Sequence, residues 1–158
     1  MQKVTPFLWF NCDAEDAAKL YVSLVPDSKI DRVNRSPADT PSGPAGMALT
    51  VEFTLAGSRF IALNGGPQYR FTEAVSFQIM CVDQAEVDRL WTALTDGGAE
   101  GRCGWLKDRW GLSWQIVPKR LHELLGDPNP DRSRRAMQAM LKMNKLIIAD
   151  LERAADGK

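Results

Sequence analysis

The sequence predicts an α+β chain made of two strand–helix–three-strand modules, βαβββ twice, followed by a C-terminal helix. Three observations carry this. A weak internal repeat recurs at an offset of 70 residues, the kind of self-similarity that marks duplicated supersecondary units. After each helical stretch come short segments of strand-like alternation. No glycine-rich phosphate loop follows the first strand, which separates the chain from doubly wound parallel sheets and from S-adenosylmethionine enzymes built on them.

The first copy opens with Phe7-Leu8-Trp9-Phe10-Asn11-Cys12-Asp13, and the second with Phe77-Gln78-Ile79-Met80-Cys81-Val82-Asp83. Ala17, Leu20, Tyr21 and Leu24 follow the first Asp at the distances at which Val87, Leu90, Trp91 and Leu94 follow the second. That i, i+3, i+4, i+7 spacing is the stripe of a helix with one buried face. Asp13 and Asp83 stand as N-caps, and Glu86 completes a capping box with Asp83. Pro26 closes the first helix and Gly97-Gly98 the second. Any strand–cap–helix resembles any other; the matched pair Tyr21/Trp91 is what favours duplication.

A strand is expected over 28–35, then a Pro-, Ser- and Gly-rich loop from Ser36 to Gly46. From Met47 the residues alternate, with Met47, Leu49, Val51, Phe53 and Leu55 on one face and Ala48, Thr50, Glu52 and Thr54 on the other. Ala56-Gly57-Ser58 turns the chain into Arg59–Asn64. The second copy offers strands over 75–82, near 100–106 and over 112–117, with Asp108-Arg109-Trp110-Gly111 as the turn before the last. After Pro118 come a short helix over 119–125, a turn at Asp127-Pro128-Asn129-Pro130, and a long amphipathic helix over 131–154. Its stripe is Ala136, Met140, Met143, Ile147, Leu151 and Ala154, and it packs on its own domain or on a partner subunit. The modules thus span about 1–66 and 72–120, one domain over 1–120, with 121–158 as a C-terminal helical extension.

A chain of 158 residues buries roughly 68–70% of its unfolded surface and needs no staple. Lys+Arg 20 against Asp+Glu 20 leaves no net charge, so neither nucleic acid nor an anionic membrane surface is an expected partner. No apolar run reaches the ~20 residues of a membrane span, and MQKVTPFLWF reads directly into a strand, so no secretory leader is expected. Three cysteines cannot all pair within one chain and suit a reducing cytoplasm. One histidine rules out a zinc site built on two or three histidines of a single chain.

Several stretches carry a family likeness: Phe60-Ile61-Ala62-Leu63-Asn64-Gly65-Gly66-Pro67, then Glu73-Ala74-Val75-Ser76-Phe77, then Asp83 with Glu86-Val87-Asp88. The longest runs from Cys103-Gly104-Trp105-Leu106-Lys107-Asp108-Arg109-Trp110-Gly111 to Leu112-Ser113-Trp114-Gln115-Ile116-Val117-Pro118. Together, over roughly 5–120, they resemble the PhnB-like branch of the vicinal oxygen chelate superfamily, relatives of glyoxalase I, bleomycin-resistance proteins and extradiol dioxygenases. The branch carries the label 3-demethylubiquinone-9 3-methyltransferase, which does not suit a fold with no known place for a methyl donor. The resemblance implies two βαβββ modules whose mixed sheets curl around a cavity, and members that commonly pair. It also implies divalent-metal ligands at the start of a first strand, in a middle strand and in a last strand. Here those positions hold Pro6 and Ser76, Thr50 and Glu52, and Gln115, an incomplete set, so no metal or cofactor is expected.

Strand parity gives a separate view. Thr50, Glu52, Gln78 and Gln115 fall opposite the apolar faces of their strands, as readers of a ligand or as residues facing solvent. Trp9, Trp105 and Trp110 add flat apolar surface for an aromatic or planar ligand, though Trp105 and Trp110 equally suit a plug at the mouth of the cavity. The Asn64 amide points into the cavity or serves only a turn. Glu52 is a weak candidate general base, should burial raise its pKa; a structural or solvent-facing role is the alternative. Cys103 is a reactive thiol or a small buried hydrophobe. His122 reads as a surface histidine, and Arg132, Arg134 and Arg135 as a solvated helix start. The function expected is a metal-free, glyoxalase-like homodimer that binds or sequesters a small molecule, or catalyses an unassigned reaction. A metal-dependent lyase or dioxygenase with unusual oxygen ligands, and a purely structural or regulatory dimer, are the alternatives.

Overall fold

In the computed structural model, which describes residues 2–158, the chain falls into two compact units that meet between Phe71 and Thr72. The N-terminal unit holds β1 (Phe7–Phe10), α1 (Ala14–Leu24), β2 (Lys29–Arg35), β3 (Ala48–Leu55) and β4 (Ser58–Asn64). The C-terminal unit holds β5 (Ser76–Cys81), α2 (Gln84–Thr95), β6 (Ala99–Glu100), β7 (Trp105–Lys107) and β8 (Ser113–Pro118). It continues into α3 (Lys119–Leu125), α4 (Pro130–Met140) and α5 (Ile148–Ala155). Each unit has one four-stranded mixed sheet, β1-β4-β3-β2 and β5-β8-β7-β6. In each, the first strand pairs in parallel with the last and the other pairings are antiparallel. The architecture is the α+β pair of βαβββ modules with C-terminal helices.

The repeat is real in the helices but slips by one in the strands. Tyr21 and Trp91 are both buried at the expected offset. The connection from β1 to α1 is one residue longer than that from β5 to α2, so Phe10 corresponds to Cys81, not Met80. The caps differ accordingly. Asp83 accepts from Glu86 N at 2.8 Å, and Glu86 accepts from Val82 N, one residue before the cap, at 2.8 Å, a variant of the capping box. Asp13 makes no side-chain cap bond. The Asn64 amide oxygen accepts from Ala14 N at 2.8 Å instead, satisfying one of the donors left free at a helix start.

In the N-terminal unit Leu8, Phe10, Val51, Phe53, Phe60 and Ala62 are buried, as are Ala14, Ala17, Ala18 and Tyr21 of α1. The three alanines let the helix approach the sheet closely; Tyr21 tilts against Phe53 at 6.2 Å and Phe53 stacks on Phe60 at 5.5 Å. Burying a ring such as Phe53 contributes about 1.5–3 kcal/mol. One expectation fails in β3. Asn34 pairs with Thr50 but Arg35 with Ala48, so an extra residue bulges at Leu49 and the parity reverses. Ala48 is buried while Met47 and Leu49 are only half-buried. The hairpin after β3 is a two-residue turn with positive φ at Ala56 (φ 43) and Gly57 (φ 82), the primed geometry that matches strand twist.

In the C-terminal unit Val87, Leu90, Trp91 and Leu94 of α2 are buried, with Cys81, Leu106, Trp114 and Ile116 also in the core. The strand expected near 100–106 is a hairpin of two short strands, β6 and β7, turning through Cys103 (φ 59) and Gly104 (φ 83). A Cβ at Gly104 would sit 2.9 Å from the Ile116 carbonyl oxygen. The helix expected over 131–154 is present in two pieces, α4 and α5. The break lies where tertiary bonds replace helical ones: Cys103 N and Gly104 N donate to the carbonyls of Met143 and Asn144. The Gln84 amide brackets the same segment, donating to Leu146 O at 3.1 Å and accepting from Ile148 N at 2.8 Å. Leu146 and Ala155 take the buried positions, packing with Val117, Leu121, Leu124, Ala136 and Leu151.

Candidate functional site

Each sheet covers one face with helix and leaves the other open, and every side chain of interest but one lies on an open face. In the N-terminal unit two rows cross all four strands. Trp9, Leu63, Thr50 and Asn34 are register partners in one, and Phe7, Ile61, Glu52 and Arg32 in the next. Paired residues share a face, so the surface grades from aromatic and aliphatic at β1 to polar and charged at β2. The polar half is wired: Asn34 Nδ2 donates to Thr50 Oγ1 at 3.0 Å and to Glu52 Oε1 at 3.1 Å. Arg59 holds the other Glu52 oxygen at 3.3 Å. Trp9 is fixed in orientation. Its Nε1–H donates to Gly66 O at 2.9 Å, Tyr69 meets it edge-on at 4.9 Å, and a Cβ at Gly65 would lie 2.3 Å from its ring.

In the C-terminal unit Gln78, Gln115 and Trp105 form one row on the open face, and Ser76, Ser113 and Lys107 the next. Gln115 Nε2 donates to Ser76 Oγ at 2.9 Å, and Lys107 pairs with Glu73. Beside this row is a cleft of about 270 Å³ lined by Glu73, Glu100, Trp105, Lys107 and Ser113 among others. The turn before β8 is knotted by a buried carboxylate: Asp108 Oδ1 accepts from Trp110 N at 3.0 Å and Leu112 N at 3.1 Å. Its Oδ2 accepts from the Trp114 indole at 3.0 Å.

The structure therefore places Trp9, Thr50 and Glu52 on the open face of one unit, and Gln78, Gln115 and Trp105 on that of the other. Asn64 is placed elsewhere. It is buried on the helix side, its amide taken by Ala14 N and by the Ala48 carbonyl at 2.9 Å. Glu52, the candidate base, has both oxygens held by Asn34 and Arg59. The Cys81 thiol is pushed up to about 12 chiefly by burial, with Glu86 adding to it; Cys12 is exposed, Cys103 half-buried and His122 exposed. Sequence reasoning missed Asn34, Ser113, Lys107 and Asp108. The alternation of β2 opposite Thr50 was the available signal for Asn34, and the parity shared with Gln115 and Trp105 was that for Ser113 and Lys107; none existed for Asp108.

The superfamily's divalent metal does not fit the residues at its ligand positions. Pro6 has no side-chain donor atom and its carbonyl accepts from Ile61 N, Ser76 and Gln115 are hydrogen-bonded to each other, and Glu52 is committed to a guanidinium and an amide. Among the described residues no three His, Cys, Asp or Glu side chains gather into a metal-binding group. Mg²⁺ or Ca²⁺ sites draw on several convergent oxygens, which neither unit offers at these positions.

Paired βαβββ modules with one covered and one open sheet face define a class of proteins rather than a reaction. The sequence profile of the 3-demethylubiquinone-9 3-methyltransferase family matches residues 2–117. The chain belongs to that family. The PhnB protein from Bacillus cereus is 32% identical over 74% of this chain and 99% of its own, with a TM-score of 0.68. A Pseudomonas aeruginosa protein, 19% identical over 75% of this chain and 98% of its own, has the same fold at a TM-score of 0.62. A glyoxalase/bleomycin resistance protein from Albidiferax ferrireducens is also similar, at 13% identity, 75% and 100% coverage and a TM-score of 0.48. No curated protein matches.

Proposed function

We propose that this PhnB-like, glyoxalase-superfamily protein binds or sequesters an amphipathic small molecule on its open sheet faces, without a metal and without methyl transfer. The observation that carries the reading is the graded face of the N-terminal unit, where Trp9, Leu63 and Ile61 give way along each row to Thr50, Glu52 and Asn34. A mostly apolar wall with a few fixed polar groups is the chemistry of small-molecule sites. The donor set argues against the metal-dependent lyase and dioxygenase readings. Against methyl transfer stands a sheet with one parallel pair per unit, which gives no doubly wound parallel platform.

We place the protein in the cytoplasm as a homodimer. Three free thiols, Cys12, Cys81 and Cys103, support a reducing compartment. The exposed Val75, Met80 and Val82 along and beside the edge strand β5 support cover by a second copy. Among the described residues no helix is long and apolar enough to cross a membrane. The test is fluorescence titration with 8-anilinonaphthalene-1-sulfonate, an aromatic probe with one charged end. Saturable binding is expected, weakened about tenfold (~1.4 kcal/mol) by Trp9→Ala. Binding that does not saturate, or that ignores Trp9→Ala, would contradict the reading.

A further inference from the structure

The Ser113 side chain is a thermodynamic anomaly. The residue is 1% exposed, and among the described residues its hydroxyl has no hydrogen-bond partner. A buried hydroxyl without a partner keeps its full desolvation penalty, and such groups in native folds call for an explanation. Ser113 lines the 270 Å³ cleft of the C-terminal unit, on the open face beside Lys107. Trp105, two residues along β7 on the same face, supplies a flat wall. The cleft is smaller than the ~300–1,000 Å³ of drug-sized sites, which limits it to about a single ring.

The charges at the cleft select further. Glu73 and Glu100 line it with Lys107, two carboxylates against one ammonium. Lys107 is already paired to Glu73, and the Glu100 oxygens accept from the Trp91 indole at 2.9 Å and from Asn144 at 3.4 Å. An anion would meet an excess of negative charge. We propose that this cleft is a binding site for an uncharged single-ring molecule carrying one hydroxyl or carbonyl. The ring packs along Trp105 and, as the cleft opens to admit it, the polar atom completes the hydrogen bond that Ser113 lacks. A hydroxyl both donates and accepts, so Ser113 serves either group. The site lies wholly within the C-terminal unit and does not depend on the Trp9 face.

The experiment is a nuclear magnetic resonance titration of the ¹⁵N-labelled full-length protein with phenol, toluene and benzoate, following the Trp105, Lys107 and Ser113 amides. Phenol is expected to shift these amides saturably, with toluene and benzoate each about tenfold weaker. In Ser113→Ala, phenol should weaken about tenfold and toluene should bind as well as before, because the apolar ring makes no use of the hydroxyl. A merely structural role for Ser113 would move both ligands together. Equal affinity for phenol and toluene in the unaltered protein, an unchanged ratio in Ser113→Ala, tightest binding by benzoate, or no saturable shift with any ring would each overturn the proposal. Trp9→Ala is expected to leave the phenol titration unchanged. Loss of the dye binding alone would therefore count against the N-terminal face and not against this cleft.

Discussion

Replacing Ser113 by alanine removes one oxygen atom from a site where that oxygen is buried and unbonded, so the fold should gain stability from a truncation. An unsatisfied buried hydroxyl costs about 1–3 kcal/mol. Against this stands the lost packing of one small atom. Alanine and serine differ little in a strand whose neighbours on both sides hold the register, Ser76 on β5 and Lys107 on β7. The net expectation is a gain of about 1 kcal/mol, or an increase of roughly 2–4 °C in melting temperature for a chain of this size. Urea unfolding followed by tryptophan fluorescence measures it, with an unchanged denaturant slope required for the comparison. A loss of 1 kcal/mol or more would show that the hydroxyl has a partner in solution, and the argument from an orphaned group would fall. A position where alanine is better for the fold, yet serine is present, is the signature of a residue serving something other than stability.

Three further substitutions or conditions probe the framework. Asp108→Asn keeps the acceptor for Trp110 N and Leu112 N but turns an amide N–H₂ toward the Trp114 indole N–H; opposed donors should cost about 1–3 kcal/mol, measured by urea unfolding. Ala56→Asn, at φ 43 in the β3–β4 turn, should stabilise by about 0.5–1 kcal/mol, since Asn tolerates the left-handed region better than Ala; differential scanning calorimetry reads it. Stability should also fall at both ends of the pH range. The Cys81 thiol lies above its ordinary 9.0, at about 12, so its contribution is complete below 9.0 and disappears as pH rises through 12. Asp88 is held below its ordinary 3.8 by its bonds to Lys145 and then Gln84, so its contribution is present above 3.8 and is lost as pH falls through the lowered value. Cys81→Ala should flatten the alkaline limb, and Asp88→Asn the acid one, in melting curves recorded across pH.

The two modules were legible because helix stripes and caps are local. Val87, Leu90, Trp91 and Leu94 need only their own spacing to be read as one face, and Glu86 its distance from Asp83. What was not legible is set by distant partners. Leu49 reads as an inward residue until β2 pairs around it and the bulge reverses β3. Asp13 reads as a cap until Asn64, fifty residues beyond Ala14, takes the bond from Ala14 N, and the same bond removes Asn64 from the candidate ligand readers. The stripe from Ala136 to Ala154 reads as one helix because nothing in 141–147 is a helix breaker. The break is made by Gln84 and by the backbone of Cys103 and Gly104. Of the candidate residues, alternation alone gave the shared face of Thr50, Glu52, Gln78 and Gln115, while Trp9 and Trp105 were read from their flat apolar surface. Ser113 and Lys107 also sit at alternating positions, but what distinguishes them is a missing bond and an ion pair, and neither is written in a strand pattern.

The central claim, ligand binding without a metal, is tested most directly by titrating 8-anilinonaphthalene-1-sulfonate into the protein before and after exhaustive dialysis against EDTA. Because the ligand positions hold a proline, a serine and a glutamine bonded to each other, and a glutamate tied to Arg59 and Asn34, the two binding curves should superimpose. Loss of binding after dialysis, with recovery on adding one equivalent of Zn²⁺, Ni²⁺ or Mg²⁺, would contradict it.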